Sequence, residues 1–286
     1  MAEALLSDTG GVATLVGDPP NVLIASAANF SFVDFLTHSL PVAAVAWLLT
    51  LLLLVRLFRK ELSLSPSNAE ALTSLDPTQA LNDPRTARRV LVVLGGALML
   101  FFLENALGIT PAYVALSAAA VALVWVRPPV SDVLRRVEWG VLIFFAGLFV
   151  MVGGLEAAGV LGSLAHLLEN LSSLPPVAVG VALIWVTALL SAVVDNVPIT
   201  IAMIPVIEGL GASGMNIQPL WWAVVFCAGL GGNGTIIGST ANIVVASLSE
   251  KTRTPITSAL WNKRGLPVML ATCVAASLLY SALFEW

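Results

Sequence analysis

Long apolar stretches follow one another along the chain, broken by short connections rich in glycine, proline and charge. Five of them predict full membrane spans, at about 39–58, 90–108, 110–127, 139–156 and 266–286, because a bilayer crossing takes about 20 mostly apolar residues. Two others, 11–29 and 217–249, are interrupted by GGVATLVGDPPN and GGNGTIIGSTAN. Glycine and proline are poor helix residues, so both stretches read as broken helices. Residues 175–194 and 197–212 are separated only by Asp195 and Asn196, with Pro198 just after. That spacing predicts a re-entrant helical hairpin with a polar tip. Two full spans would preserve the same topological parity. Between 157 and 172, Val160, Leu164, Leu167, Leu168 and Leu171 share one face and His166, Glu169 and Asn170 lie elsewhere, the pattern of an amphipathic helix in the membrane interface. The polar segment 59–87 is a linker by its Pro, Ser, Asn and Asp content. Runs such as Val42 to Val55 do not alternate, which removes a β-barrel.

Composition sharpens this picture. Of 286 residues 58% are hydrophobic and 10% charged, against roughly 25% charged in an ordinary soluble domain, and the mean hydropathy is +0.95. A water-soluble globule, a disordered tail and a nucleic-acid binder are all excluded. Cys227 and Cys273 sit inside apolar stretches and the two histidines lie far apart, so they read as packing residues and not as a disulfide or metal framework. The first residues carry Glu3 and Asp8 and no basic residue, unlike a secretory signal peptide. Trp139, Trp221, Trp222 and Trp286 flank spans and read as interfacial anchors. Glu104 and Glu156 lie near span ends, within reach of the interface.

All 13 Lys and Arg residues fall in three groups, 56–89, 127–136 and 251–264. Short cytoplasmic loops collect such residues, so all three groups are expected inside. On this layout the span 39–58 runs inward and 266–286 runs outward.

A repeat is also present. Residues 10–26 align with 231–247 at a shift of 221, with seven of 17 positions identical, Asn21/Asn242 and Gly17/Gly238 among them. The match resumes at Leu40-Pro41-Val42 and Leu266-Pro267-Val268. Two copies of opposite orientation make an inverted repeat, and in secondary transporters the broken helices of such repeats form the solute and ion site near the midplane. Unwound backbone is tolerated there because it lines a cavity. Thr14, Asn21, Asn233, Thr235, Ser239, Thr240 and Asn242 would add polar side chains to it, and Asp18 precedes Pro19-Pro20 in the first loop. Asp195 is an ionisable group between apolar helices, and intramembrane acids are costly and by default functional; a helix cap is its alternative role. By the shift of 221, the counterpart of Asp195-Asn196 would precede residue 1. The expected organisation is therefore 1–58 as the end of a first, incomplete repeat, 59–89 as a cytoplasmic linker and 90–286 as a complete second repeat.

GGVATLVGDPPNVLIAS, VEWGVLIFFAGLFVMVGGLEAAGV at 137–160, SAVVDNVPIT at 191–200 and GGNGTIIGSTANIVVAS together resemble the arsenite permease and Na⁺/H⁺ antiporter D group of the ion transporter superfamily, which also holds citrate and dicarboxylate transporters. The resemblance covers essentially the whole chain. It implies an all-α, polytopic inner-membrane transporter with inverted repeats, broken helices and a re-entrant hairpin. Solute and coupling ion would sit between the hairpin tip Asp195-Asn196 and the unwound loops, with H⁺ or Na⁺ at Asp195. The family's first spans and first hairpin are absent from this sequence. The expected function is secondary active transport of an ion or small oxyanion or metalloid, by arsenite transport or Na⁺/H⁺ exchange. A truncated or split transporter half inactive alone, and a citrate or dicarboxylate transporter, are the alternatives. Gly229 to Gly234 match GxGxxG, but no strand precedes them, and there is no Walker lysine. No paired catalytic acids or nucleophile with a base appears, so an enzyme is not expected and no cofactor is implied. The partners of this reading are the lipid bilayer and the coupling ion; a homodimer and a separate chain supplying the missing N-terminal half stay open.

Overall fold

A computed structural model describes residues 1–63, 83–137, 139–159, 174–252 and 254–284. Every element among them is helical. In chain order these are α1 (Ala2–Gly11), α2 (Pro19–Ala28), α3 (Phe32–Leu57), α4 (Arg59–Leu62), α5 (Pro84–Leu107), α6 (Pro111–Val126), α7 (Val130–Arg136), α8 (Trp139–Ala157), α9 (Pro176–Ser191), α10 (Asn196–Ala212), α11 (Gln218–Gly232), α12 (Thr240–Ser249) and α13 (Ser258–Leu283). By length and composition α3, α13 and the Pro84–Glu104 part of α5 can each cross a membrane. The hairpin helices α9 and α10 have 16 and 17 residues, short of the roughly 20 a full crossing takes.

The chain forms two compact units. The first comprises Met1–Phe30, Asp34–Leu57 and Ala146–Trp286, and the second Ser31–Val33 and Phe58–Phe145. Within the first unit the N-terminal helices pack among the C-terminal ones. The core of the first unit is α11, where Leu220 to Leu230 are all buried. It lies against α9, and their approach depends on Gly231, where a Cβ would stand 2.6 Å from the carbonyl oxygen of Ala188. The rings of His38, near the start of α3, and Phe284, just past the end of α13, lie 5.9 Å apart. Deeper along α3, Thr50 meets Thr9 beside the first break, while Met269 of α13 packs at Gly234 in the second. The two long helices therefore run in opposite directions.

In the second unit α5 and α6 form an antiparallel pair joined through Gly108, which ends α5 in the left-handed conformation (φ 65°). Their surfaces are apolar and open: Leu91 is 65% and Val124 72% exposed, as lipid-facing positions should be.

Several boundaries differ from the sequence pattern. A helix, Ala2–Gly11, precedes the first break. The last residues of the linker 59–89 are already helix, because Asp83 caps α5 and Pro84 suits a first helical position. Trp221 and Trp222 are not interfacial; they are 3% and 2% exposed, and Trp222 stacks on Phe30 at 4.3 Å and on His38 at 5.1 Å. Glu104 is buried and accepts a hydrogen bond from the Phe32 backbone N–H within the second unit, so it does not reach the interface. The interfacial helix expected over 157–172 and Trp286 lie largely or wholly outside the described residues.

Candidate functional site

Two helices of the first unit break, and they break alike. α1 ends at Gly11 and α2 resumes at Pro19; α11 ends at Gly232 and α12 resumes at Thr240. All four positions correspond at the shift of 221. A broken helix frees carbonyls that lipid cannot solvate. At the first break Asn21 Nδ2 donates to the carbonyls of Gly11 (2.9 Å) and Thr14 (2.8 Å). At the second Asn242 Nδ2 donates to those of Gly232 (2.9 Å) and Thr235 (3.1 Å). A primary amide supplies two N–H donors from one atom, which is what a two-carbonyl gap needs. Glycine is required where the chain folds back, since a Cβ at Gly17 would stand 2.3 Å from Gly11 O and one at Gly238 2.6 Å from Gly232 O. The following spans also close each break. Ser39 Oγ of α3 donates to Val12 O (2.6 Å), and Trp261 Nε1 of α13 donates to Asn233 O (3.1 Å).

The hairpin tip meets both breaks. Asn196 Nδ2 donates to Asp18 Oδ2 (2.8 Å) in the first, and Asp195 Oδ2 accepts from Thr240 Oγ1 (3.0 Å) in the second. Asp195 also caps α10, its Oδ1 accepting from the Val197 N–H at 3.1 Å. The breaks meet each other as well: Ser239 Oγ donates to Asp8 Oδ1 (2.9 Å), and Asn233 Nδ2 to Thr9 Oγ1 (3.0 Å).

Asp195, Asn196, Asp18, Ser239 and Thr240 thus converge. Asn233 instead donates to Thr9, which among the described residues bonds to Leu5 O and Thr50 and not to this cluster. Thr14, Asn21, Thr235 and Asn242 serve the breaks themselves: Thr14 and Thr235 offer carbonyls, and Thr235 Oγ1 donates to Ala192 O. Asp8 was not among the sequence candidates. It is 7% exposed, and the carboxylates of Asp8, Asp18 and Asp195 lie within electrostatic reach of one another. The available signal was the repeat: a helix before the second break implies one before the first, and Asp8 would then be an intramembrane acid.

Among the described residues no Lys, Arg or His joins this network. Asp8 Oδ2, Asn233 Oδ1 and Asn242 Oδ1 are buried and accept no hydrogen bond among those residues. No group of three or more His, Cys, Asp or Glu is arranged there to hold a metal ion. The arrangement is an acidic, oxygen-rich junction between one hairpin and two unwound loops.

Residues 1–226 match the citrate transporter family, a match that ends inside α11, ahead of the second break. A 46 kDa membrane protein of Mycobacterium leprae is 35% identical over 285 residues, covering 97% of this chain and 66% of that protein. An uncharacterized transporter of Mycobacterium tuberculosis is 35% identical over 294 residues, again covering 66% of its own length. The P protein of Homo sapiens is 27% identical over 355 residues, with 96% of this chain and 42% of that protein covered. The chain therefore spans just under two thirds of the length of the bacterial relatives it matches.

Proposed function

Because the chain belongs to the citrate transporter family, we propose that it takes part in secondary active transport, with Asp195, Asn196 and the two helix breaks holding a coupling ion and the transported solute. The opposed directions of α3 and α13 suit an inverted repeat whose halves alternate access around a fixed site. One observation carries the reading: three neighbouring carboxylates, Asp8, Asp18 and Asp195, meet no basic residue in their network among the described residues. Uncompensated acids inside a membrane protein are expensive, and binding H⁺ or Na⁺ lowers that cost.

A proton would sit on a carboxylate. Na⁺ at Asp195 would take one carboxylate oxygen together with hydroxyl, amide or backbone carbonyl oxygens, which the breaks supply. The solute reading that follows from the motif resemblance is Na⁺/H⁺ exchange or arsenite transport. Citrate or another dicarboxylate is the second reading, favoured by the matched family; carboxylates would repel such an anion unless protons or a bound cation neutralised it. The basic groups at 56–89, 127–136 and 251–264 would face the cytoplasm of a multi-pass inner-membrane protein.

The test is Asp195→Asn in proteoliposomes, with Na⁺-driven proton flux, arsenite efflux and citrate uptake measured in parallel. Asparagine keeps an oxygen for the Val197 N–H but cannot carry the charge, so the variant should fold, insert and lose ion coupling. Retention of the parent's coupled transport by the variant would make Asp195 a helix cap only.

A further inference from the structure

We infer that the second unit carries a binding site for an anionic phospholipid, formed where the first turns of α5 meet the end of α6. Arg85, Arg88 and Arg89 line an open groove of about 350 Å³ together with Trp125. Trp125 and Arg127 also line an adjoining groove of about 520 Å³ whose other walls are Ala120, Val121 and Val124. One tryptophan thus borders two grooves with apolar walls, the first edged by Arg85, Arg88 and Arg89 and the second by Arg127. That is the shape of a lipid: phosphate at one end, acyl chain at the other.

The chemistry of each compartment is specific. A guanidinium has five N–H donors in a fork that matches phosphate oxygens in pairs. Arg89 spends one of them on the Trp125 carbonyl (3.2 Å), which ties the two helices at the mouth of the groove, and Arg127 one on the Val124 carbonyl (3.4 Å). Asp83, the acid beside the cluster in sequence, accepts from Thr86 Oγ1 at 2.6 Å and from the N–H groups of Arg85 and Thr86. Its field reaches Arg85; among the described residues no carboxylate pairs with Arg88, Arg89 or Arg127. Val121 is 53% and Val124 72% exposed, and both face hydrocarbon in a bilayer. Trp125 is 45% exposed, and indoles favour the headgroup region.

Free phosphate and a phospholipid share the phosphate chemistry, but only the lipid uses the apolar groove. The cytoplasmic leaflet, where basic loops reside, is also the anionic one, and each basic residue near it adds about fivefold in affinity.

Two measurements on the full chain test the site. In native mass spectrometry from mild detergent, phosphatidylglycerol should be retained in preference to phosphatidylcholine. The double variant Arg88→Gln/Arg89→Gln should weaken that retention about 25-fold, at fivefold per charge. Arg135→Gln/Arg136→Gln, which removes the same charge from α7 outside both grooves, should weaken it far less. In nanodiscs at constant anionic fraction, brominated phosphatidylglycerol should quench tryptophan more than brominated phosphatidylcholine, and Trp125→Phe should abolish the difference; this arm does not depend on the arginine variant folding. The proposal is overturned if the two lipids are retained or quench equally, if the α7 variant weakens retention as much, or if millimolar inorganic phosphate displaces the lipid and reveals a free-anion site.

Discussion

The amides of Asn21 and Asn242 should be among the most stability-sensitive groups in the chain. Asn21→Ala removes the donor to Gly11 O and Thr14 O, and Asn242→Ala the donor to Gly232 O and Thr235 O. The two residues are 1% and 0% exposed, and their bonds are part-buried at Gly11, Thr14 and Thr235 and buried at Gly232, so water replaces the amides poorly. An orphaned buried polar group costs about 1–3 kcal/mol; with two carbonyls stripped, each variant should lose about 2–6 kcal/mol. For a chain of this size a loss of 1 kcal/mol lowers the midpoint by about 2–4 °C, giving a drop of roughly 5–20 °C. The isostere Asn→Asp keeps the volume and turns an oxygen toward both carbonyls, so it should do at least as badly. The assay is tryptophan fluorescence on heating in detergent at one scan rate, because membrane proteins rarely unfold reversibly. Gln218→Ala, on the exposed start of α11, is the control. If either alanine variant melts within about 2 °C of that control, the amide does not hold its break. If only one responds, the two breaks are not energetically equivalent.

Gly231→Ala should reduce folded yield and cost about 1–3 kcal/mol or more by overpacking, because its Cβ would stand 2.6 Å and 2.7 Å from backbone atoms of Ala188. Gly95→Ala, with nothing within 4 Å of the added atom, should melt at or above the parent midpoint. The Asp83 carboxyl is held below its ordinary range by hydrogen bonds from the Thr86 hydroxyl and N–H and then the Arg85 N–H. A depressed folded pKa means the cap is fully present above the unfolded value of about 3.9 and fades as pH falls through the folded one. Amide protection at the start of α5 should therefore be flat from about pH 5 to 8 and drop below about pH 4, whereas Asp83→Asn should show no such drop. Single cysteines near 70, 131 and 255 should label from the cytoplasm and those near 34 and 168 from the opposite side; Cys227 and Cys273, both 0% exposed, give little background. External labelling at 131 or 255 would sink the inverted arrangement.

What the sequence made legible was whatever the two copies share. Asn21 and Asn242, Gly17 and Gly238, and the helix ends around them stand out because repetition marks them, and each proves to serve the same backbone need in both places. Trp222 was misread because span-flanking tryptophans usually sit at the interface, and only packing reveals that Phe30 and His38 cover it. The tie between Arg89 and the Trp125 carbonyl was hidden for another reason: it joins helices that the sequence separates by 36 positions. Asp8 illustrates the deeper limit. At the shift of 221 its counterpart is Gly229, and the counterpart of Asp18 is Ser239. These two acids have no acidic counterpart in the second copy. A Cβ at Gly229 would lie 2.5 Å from Val12 Cγ2, so the second copy is cut back where the first copy's Val12 packs. Ser239 in turn spends its hydroxyl on Asp8. An alignment of repeats finds the scaffold, where the copies agree, and passes over the charge, which lies where they diverge. For the proposed ion site, the positions at which the two copies diverge in charge are Asp8 against Gly229 and Asp18 against Ser239.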